Sequence, residues 1–248
     1  MYNFFAKNEM RQGTTFTLTG ADHNHIKNVL RMKKEDRVLV SCEGLSHLCS
    51  ICSLDEEKTV LQILEENHQN TELPVSITLF QGLPKADKME WILQKTVELG
   101  VSSVVPVEMN RCVVKLDPKK KGSKQIRWQA IAEAAAKQSK RSLIPRVAEP
   151  ISFSAALSFA KEMDLFLVPY ENKEGMKATK EALSQIQPGM KIGILIGPEG
   201  GFDPKEIEEA LAVGGIPISL GRRILRTETA AITAVGMCML QIESMPEA

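Results

Sequence analysis

From residue 75 onward, the chain alternates short apolar runs with stretches of helical periodicity. The apolar runs fit strands that are buried on both faces. They lie at residues 75–81, 101–107, 164–170, 192–196 and 216–220. Helical patterns follow, and the last one, residues 227–242, is apolar on most sides and therefore requires burial. This alternation predicts an α/β fold with a parallel sheet and right-handed crossovers.

The first part of the chain has a different pattern. Short strand-like stretches separated by turn residues predict a small β-barrel. These stretches lie at residues 14–18, 37–41, 47–54 and 59–64. A polar segment ending at Pro74 follows them and marks a boundary. We therefore expect two domains, residues 1–72 and residues 73–248.

Three helices have boundaries that the sequence suggests directly. Residues 23–34 would form an amphipathic helix, with Ile26 and Val29 on its apolar face and basic residues on another. Asp87, with Glu90 three positions later, predicts a capping box for a helix that ends at Gly100. A further helix is expected from about residue 123 to 140. The lysines at 119–124 would precede it in a solvated loop.

Composition narrows the class of protein. The 248 residues are 43% hydrophobic and 25% charged, as in a folded soluble protein. No run approaches the ~20 apolar residues that a membrane helix needs, and the first residues do not resemble a signal peptide, so we expect a cytoplasmic protein. Five scattered cysteines argue against a disulfide framework. Cys49 and Cys52 lack further ligands for zinc, so no metal is expected.

Two loops near the end of the chain carry the most chemistry. Gly-Pro-Glu-Gly-Gly-Phe occupies residues 197–202, and Leu-Gly-Arg-Arg-Ile-Leu-Arg-Thr-Glu-Thr-Ala occupies residues 220–230. Each follows a predicted strand and precedes a helix, which is where open α/β sheets bind ligands. The first string alone fits a simple turn equally well. The second string crowds arginines and hydroxyl groups at a helix start, which a simple connection would not need.

These two strings closely resemble the RsmE family of bacterial 16S rRNA methyltransferases, in the SPOUT superfamily. The phrase His-Ile-Lys-Asn-Val-Leu-Arg-Met-Lys at residues 25–33 resembles the same family, and so does Pro-Lys-Ala-Asp-Lys-Met-Glu-Trp at 84–91. The resemblance implies a SPOUT-type parallel sheet with a C-terminal trefoil knot, although knots are otherwise rare. It also implies that residues 1–72 form a PUA-like RNA-binding β-barrel.

The resemblance further implies that S-adenosylmethionine (SAM) binds between the two loops. The expected contacts are Val168, Pro169, Ile196, Gly197, Pro198, Glu199, Gly200, Leu220, Gly221, Ile224 and Leu225. Backbone groups would hold the adenine edge, and Ile224 and Leu225 would pack on its face. The glycines suit this role because they let the main chain approach a flat ligand.

The implied substrate atom is N3 of a uridine near the 3′ end of 16S rRNA. This nitrogen carries a proton at neutral pH, so the reaction requires stabilisation of the deprotonated base. Arg226 is the expected catalytic cation. Glu228 would accept the proton or orient Arg226. It is equally well explained as a favourable acid in the first turn of a helix.

Net charge is zero, but residues 111–146 contain eleven Lys or Arg against two acids, a local charge of +9. Basic stretches of this kind bind phosphate backbones, although the lysines at 119–124 also fit a solvated loop. The expected RNA contacts are Arg11, Lys27, Arg31, Lys33, Lys85, Lys88, Arg111 and Arg141. The chain departs from the family pattern at Ala134 and Lys137, where acids are common.

Other functions stay open at this point. A related SPOUT enzyme would modify another RNA, and a non-catalytic relative would bind RNA during ribosome assembly. A nucleotide binder is disfavoured because both common glycine-rich phosphate motifs are absent. The expected partner is 16S rRNA within the small ribosomal subunit. A homodimer is expected from the resemblance and from the apolar last helix.

Overall fold

The computed structural model describes residues 1–170 and 175–245. These residues form two compact units, one of residues 1–72 with 136–144 and the other of residues 73–135 with 145–248. The first unit contains β1 (Asn3–Phe5), β2 (Arg11–Gln12), β3 (Thr15–Thr19), α1 (Gly20–Asn24), β4 (Arg37–Cys42), β5 (Leu45–Leu54) and β6 (Lys58–Gln69).

The six strands of the first unit form one sheet in the order β1-β4-β5-β6-β3-β2. All pairs are antiparallel except β1 with β4. The core residues of β3 and β4 occupy alternate positions, which is the period of one face of a strand, although β4 is also buried on its other face. The core is made of apolar residues from every strand except β2, among them Phe4, Phe16, Leu18, Val38, Val40, Ile51 and Leu61.

The basic helix predicted at residues 23–34 is shorter than expected and irregular. After α1 the chain continues as a π-helical turn over His25–Val29, in which the Leu30 N–H donates to the His25 carbonyl at 2.9 Å. The wider turn changes the helical register. As a result Ile26 is buried but Val29 is 61% exposed. The turn ends at Arg31, whose φ of 52° is incompatible with a right-handed helix.

The second unit is built on a parallel sheet, as the sequence predicts. Its strands are β7 (Ser76–Gly82), β8 (Ser103–Glu108), β9 (Arg146–Val147), β10 (Ile151–Ser152), β11 (Leu165–Pro169), β12 (Lys191–Ile196) and β13 (Ile216–Ile218). Their order is β10-β8-β7-β12-β11-β13, with β9 beside β8, and every pair is parallel. The central strands β7 and β12 are almost wholly buried, which explains their continuous apolar runs.

The remaining helices are α2 (Lys88–Glu98), α3 (Pro118–Gln138), α4 (Phe153–Ala160), α5 (Met176–Leu183), α6 (Pro204–Ala212) and α7 (Thr227–Glu243). None of the helices formed by the described residues has the length and hydropathy needed to span a membrane. Helix α7 packs against α2, β7 and β12 and buries one face of mostly small residues, among them Ala231, Ala234 and Cys238. Its opposite face includes Leu240, which is 63% exposed, so α7 is not buried all round.

The structure corrects two predictions about helix starts. Asp87 is the N-cap residue of α2, as predicted, but its side chain makes no capping hydrogen bond. The carboxylate of Glu90 instead lies 2.7 Å from Arg127. Helix α3 begins at Pro118 rather than near residue 123, because proline suits a first helical position and Asp117 accepts a hydrogen bond from the Lys120 N–H at 2.9 Å. The lysines at 119–124 are therefore helical.

Candidate active site

The second unit contains a cavity of about 1050 Å³ at the carboxyl ends of β11, β12 and β13. Parallel sheets commonly bind ligands at this edge. Most of its wall comes from the two loops singled out in the sequence. We call residues 197–202 the first loop and residues 219–226 the second loop. Lys88, Arg111 and Tyr170 complete the rim.

The first loop is held in a tight conformation by its neighbours. The Gly201 N–H donates to the Pro198 carbonyl at 2.9 Å, and Gly201 has a φ of 69°. Gly200 lies so close to Arg111 that a Cβ at this position would be 2.9 Å from the Arg111 Cβ. The buried Glu206 carboxylate accepts hydrogen bonds from the Asp203 N–H at 2.9 Å and the Asn110 N–H at 2.7 Å. The loop is therefore fixed to the segment that follows β8.

Hydrogen bonds hold the start of the second loop, whereas side chains near its end are exposed or, among the described residues, unpaired. The Thr179 hydroxyl accepts from the Ser219 N–H and donates to the Ser219 carbonyl, each at 2.9 Å. Gly221 follows, with a φ of 111°. Ile224 is 95% exposed, although it lines the cavity. Within residues 1–170 and 175–245, the side chain of Arg226 forms no hydrogen bond or ion pair.

A buried chain of hydrogen bonds joins the loops beneath the cavity. The Gln81 Nε2 donates to the Thr227 hydroxyl at 2.9 Å, and this hydroxyl donates to the Gly197 carbonyl at 2.6 Å. Gln81 is inaccessible to solvent and Thr227 is 6% exposed. The start of α7 is thereby tied both to the end of β7 and to the first loop. Loss of the Thr227 hydroxyl would remove the side-chain donor to the Gly197 carbonyl and the acceptor for one Gln81 N–H.

A second polar cluster lies at the rim, where Lys88 faces two carboxylates. Its ammonium lies 3.1 Å from Glu199 Oε1 and 3.4 Å from Glu228 Oε2. The hydrogen bond to Glu199 raises the pKa of Lys88. Burial alone would raise the pKa of the Glu199 carboxyl, but hydrogen bonds from the Lys85 N–H and from Lys88 outweigh burial and lower that pKa overall. Both groups of this pair are therefore charged near neutral pH.

Comparison with known proteins identifies the family. The model of the RNA methyltransferase domain family matches residues 71–239. The ribosomal RNA small subunit methyltransferase E of Bacillus subtilis is 38% identical over 96% of this chain and 94% of its own length. The chain belongs to the ribosomal RNA small subunit methyltransferase E family.

Solved structures of similar proteins agree with this family assignment. A ribosomal RNA small subunit methyltransferase E from Neisseria gonorrhoeae, bound to S-adenosyl methionine, has a TM-score of 0.80 and 31% identity, with 95% of each chain covered. A Legionella pneumophila protein solved with its bound cofactor SAM has a TM-score of 0.81 and 30% identity, covering 96% of this chain and 97% of that one. The α/β fold with a parallel sheet is therefore shared with methyltransferases of this family.

Most of the residues expected from the sequence to contact the cofactor lie in the cavity wall of this family member. They are Pro169, Ile196, Gly197, Pro198, Glu199, Leu220, Gly221, Ile224 and Leu225. Val168 is fully buried within β11, and Gly200 faces Arg111, so neither belongs to the described lining. Of the expected catalytic residues, Arg226 lines the cavity. Glu228 does not belong to the described lining and instead faces Lys88.

The residues expected to bind RNA have different surroundings. In the first unit Arg31 and Lys33 are exposed, whereas Arg11 pairs with Glu66, and Lys27 donates to the Asp55 carbonyl and pairs with Glu56. Arg141, also in the first unit, is 4% exposed, and its Nε donates to Glu72 at 3.1 Å. Its guanidinium is therefore not presented at the surface. In the second unit Lys85 is exposed, and Lys88 and Arg111 lie at the cavity rim.

Sequence reasoning missed two features of this site. The first is Gln81, and a glutamine closing an otherwise apolar run is the signal that would have found it. The second is the aromatic pair Tyr170 and Phe202, whose ring centroids are 6.4 Å apart with planes at 74°. Both rings line the cavity. They follow adjacent strands, β11 and β12, whose carboxyl ends lie at the same edge of the sheet.

Proposed function

We propose that this protein methylates N3 of a uridine near the 3′ end of 16S rRNA, with SAM as the methyl donor. The observation that carries the proposal is the cavity between the first and second loops, at the carboxyl edge of a parallel sheet, in a member of this methyltransferase family. Its volume of about 1050 Å³ lies at the upper end of the ~300–1,000 Å³ typical of small-molecule sites. The cavity thus has room for a cofactor and part of a nucleotide.

The chemistry of the cavity wall fits SAM. Ile196, Gly197 and Leu220 line the cavity, and we propose that their main-chain groups bind the edge of the adenine ring. Ile224 is 95% exposed, and a flat ligand bound in the cavity would bury this apolar side chain. When bound, SAM supplies a methyl group activated by its positively charged sulfur. The protein is then required to position the base and stabilise its charge.

Arg226 is the proposed catalytic cation. It lines the cavity, and its side chain has no partner in the described part of the chain, so its charge is available to a substrate. Removal of the N3 proton leaves negative charge on the uracil oxygens, which a nearby guanidinium stabilises. Removal of one such donor typically costs about 10²- to 10³-fold in rate. Glu228 stays a candidate proton acceptor or orienting group.

RNA would bind through exposed basic residues of each unit. We propose Arg31 and Lys33, together with the less exposed Lys27, as contacts in an N-terminal domain of residues 1–72, which we take to be a PUA-like barrel. In a C-terminal domain of residues 73–248, we propose Lys85 and Arg111. Such contacts position the substrate through its phosphates and weaken as salt increases.

We also propose that residues 197–230 form a trefoil knot and that the enzyme is a homodimer. The return of the chain to the first loop, through the bond from Thr227 to the Gly197 carbonyl, supports the knot. Leu240 on α7 is 63% exposed and Trp91 on α2 is 53% exposed, and exposed apolar side chains on two helices that pack together support the proposal of a second copy here. Light scattering at known concentration measures the oligomeric state.

Mass-spectrometric mapping of 16S rRNA tests the proposed reaction. Purified protein, SAM and unmodified small subunits should yield one N3-methylated uridine near the 3′ end. Arg226→Ala should reduce this product by about 10²- to 10³-fold while calorimetry still detects SAM binding. Arg146→Ala, an exposed arginine of the same unit outside the described lining, is the matched control. A methyl group on another atom or another RNA would contradict the proposed substrate.

A further inference from the structure

We infer that Lys88 is a positioning residue for methyl transfer, which holds the first loop and the first turn of α7 in register through Glu199 and Glu228. This inference rests on the proposed function. It differs from the expectation that Lys88 binds RNA phosphate. It also assigns Glu228 an indirect role, in place of direct proton transfer.

The geometry of the cluster carries the inference. Lys88 is the first residue of α2, Glu199 belongs to the first loop, and Glu228 belongs to the first turn of α7. The ammonium lies 3.1 Å from Glu199 Oε1 and 3.4 Å from Glu228 Oε2. The Lys85 N–H donates to Glu199 at 2.9 Å, so the turn before α2 holds this carboxylate from a second direction. One segment thus fixes both parts of the chain that border the cavity.

Burial explains why Glu228 depends on Lys88. Glu228 Oε2 is inaccessible to solvent and has no hydrogen bond among the described residues, so the ammonium 3.4 Å away is its compensating charge. Glu228 does not belong to the described cavity lining, whereas Lys88 and Glu199 do. The lysine therefore joins a carboxylate of the described lining to one outside it. A proton acceptor would need to reach the substrate within hydrogen-bond distance.

The charges argue against the two other roles for Lys88. A phosphate approaching this ammonium would also approach the Glu199 and Glu228 carboxylates, which repel it. The hydrogen bond with Glu199 raises the pKa of Lys88, so the amine stays protonated near neutral pH and is not a proton acceptor. Three donors on one ammonium suit the bridging of two carboxylates.

Steady-state kinetics on small ribosomal subunits, with SAM saturating, tests the inference. Lys88→Met keeps most of the side-chain length and removes the charge. Its kcat should fall between about 10- and 100-fold, because small displacements at the reacting atoms cost this much. Its KM for the RNA substrate should stay within about twofold of wild type. Lys88→Arg should restore most of kcat, because guanidinium nitrogens can pair with both carboxylates.

Two controls separate this role from others. Lys95→Met removes a lysine of the same helix that pairs with Glu98 at 2.8 Å outside the described lining, and it should leave both constants unchanged. As a single substitution, Glu228→Gln should lower kcat. In the Lys88→Met background, it should lower kcat further by less than about twofold. Melting temperatures show whether each variant is folded. If Lys88→Met does not fold, the same kinetic measurements are made on Lys88→Gln.

Each remaining outcome overturns the inference. A raised KM that depends strongly on salt, with kcat unchanged, would make Lys88 an RNA contact. Fully multiplicative losses for Lys88→Met and Glu228→Gln would show that Glu228 acts independently of Lys88. An unaffected Lys88→Met enzyme would remove Lys88 from the mechanism. If the wild-type protein does not methylate the subunit, the proposed function itself fails, which is a separate result.

Discussion

Gly82→Ala should distort the active site, because Gly82 packs against the first loop. Gly82 is the last residue of β7 and pairs with Val107 of β8. A Cβ on this residue would lie 2.7 Å from both the Cδ and the backbone nitrogen of Pro198 and 2.9 Å from the Met109 sulfur. The methionine can move, but Pro198 belongs to the first loop and lines the cavity. The substitution therefore transmits strain directly to the proposed cofactor site.

The expected magnitude follows from these distances. Ordinary contact for a Cβ begins at 3.4 Å, so relief of the 2.7 Å contact requires a displacement of 0.7 Å, the difference between them. Overpacking of this kind costs about 1–3 kcal/mol of unfolding free energy. At ~2–4 °C per kcal/mol for a protein of this size, the melting temperature should fall by roughly 2–12 °C. Methyl transfer should slow by about 10- to 100-fold, because the displaced loop borders the cofactor.

Thermal unfolding, calorimetric titration with SAM and the methylation assay measure these effects. Gly236→Ala is the control, because Gly236 lies within α7, where the contact found for an added Cβ among the described residues is with Leu99 at 3.8 Å. It should stabilise the protein by about 0.5–1 kcal/mol, since alanine favours helix more than glycine does. If Gly82→Ala binds SAM and turns over like wild type, the first loop tolerates this displacement and our account of its packing is wrong.

Three further predictions follow from other contacts. Thr227→Val should lower the unfolding free energy by about 1–3 kcal/mol in chemical denaturation, because it removes the hydroxyl that donates to the buried Gly197 carbonyl and accepts from Gln81. Arg141→Met should cost about 3–5 kcal/mol in the same measurement, because Glu72 is left partly buried without its cation. The pKa of the Glu199 carboxyl is lower in the folded protein than its ordinary value of 4.5. The ionised carboxylate therefore stabilises the fold at pH values above 4.5. The stability difference between wild type and Glu199→Gln should thus be constant above about pH 4.5 and shrink below it.

The sequence predicts the second unit well because its signals are local. Strands buried on both faces give continuous apolar runs, and β12 begins and ends within one residue of its prediction. The start of helix α6 (Pro204–Ala212) has an equally local signal, because Asp203 and Glu206 form a complete capping box and Pro204 is the first helical residue. The cavity was also predictable, since both loops follow strands whose carboxyl ends lie at one edge of the sheet.

Elements that depend on register or on distant partners were not predictable in this way. A helical wheel assumes a constant turn, so it assigned Val29 to the apolar face, but the π-helical turn exposes it. The spacing of Asp87 and Glu90 suggested a capping box, but the Glu90 carboxylate faces Arg127 of α3 instead. Local spacing identifies which groups are able to interact, and the packing of other helices decides which of them do.

The basic segment at residues 111–146 also shows that sequence alone does not reveal which side chains are paired. The local charge of +9 in residues 111–146 suggested a broad phosphate-binding surface. Much of this charge is paired within its own unit, as in Lys121 with Glu108 at 2.8 Å, Arg127 with Glu90 at 2.7 Å and Lys137 with Asp22 at 3.1 Å. In the described second loop, by contrast, the guanidinium of Arg226 has no such partner. A carboxylate that already pairs with a cation offsets part of the charge that the cation offers to a substrate. This pairing is set by residues distant in sequence, so a count of charges does not show which cations of this segment are paired and gives no reason to prefer Arg226.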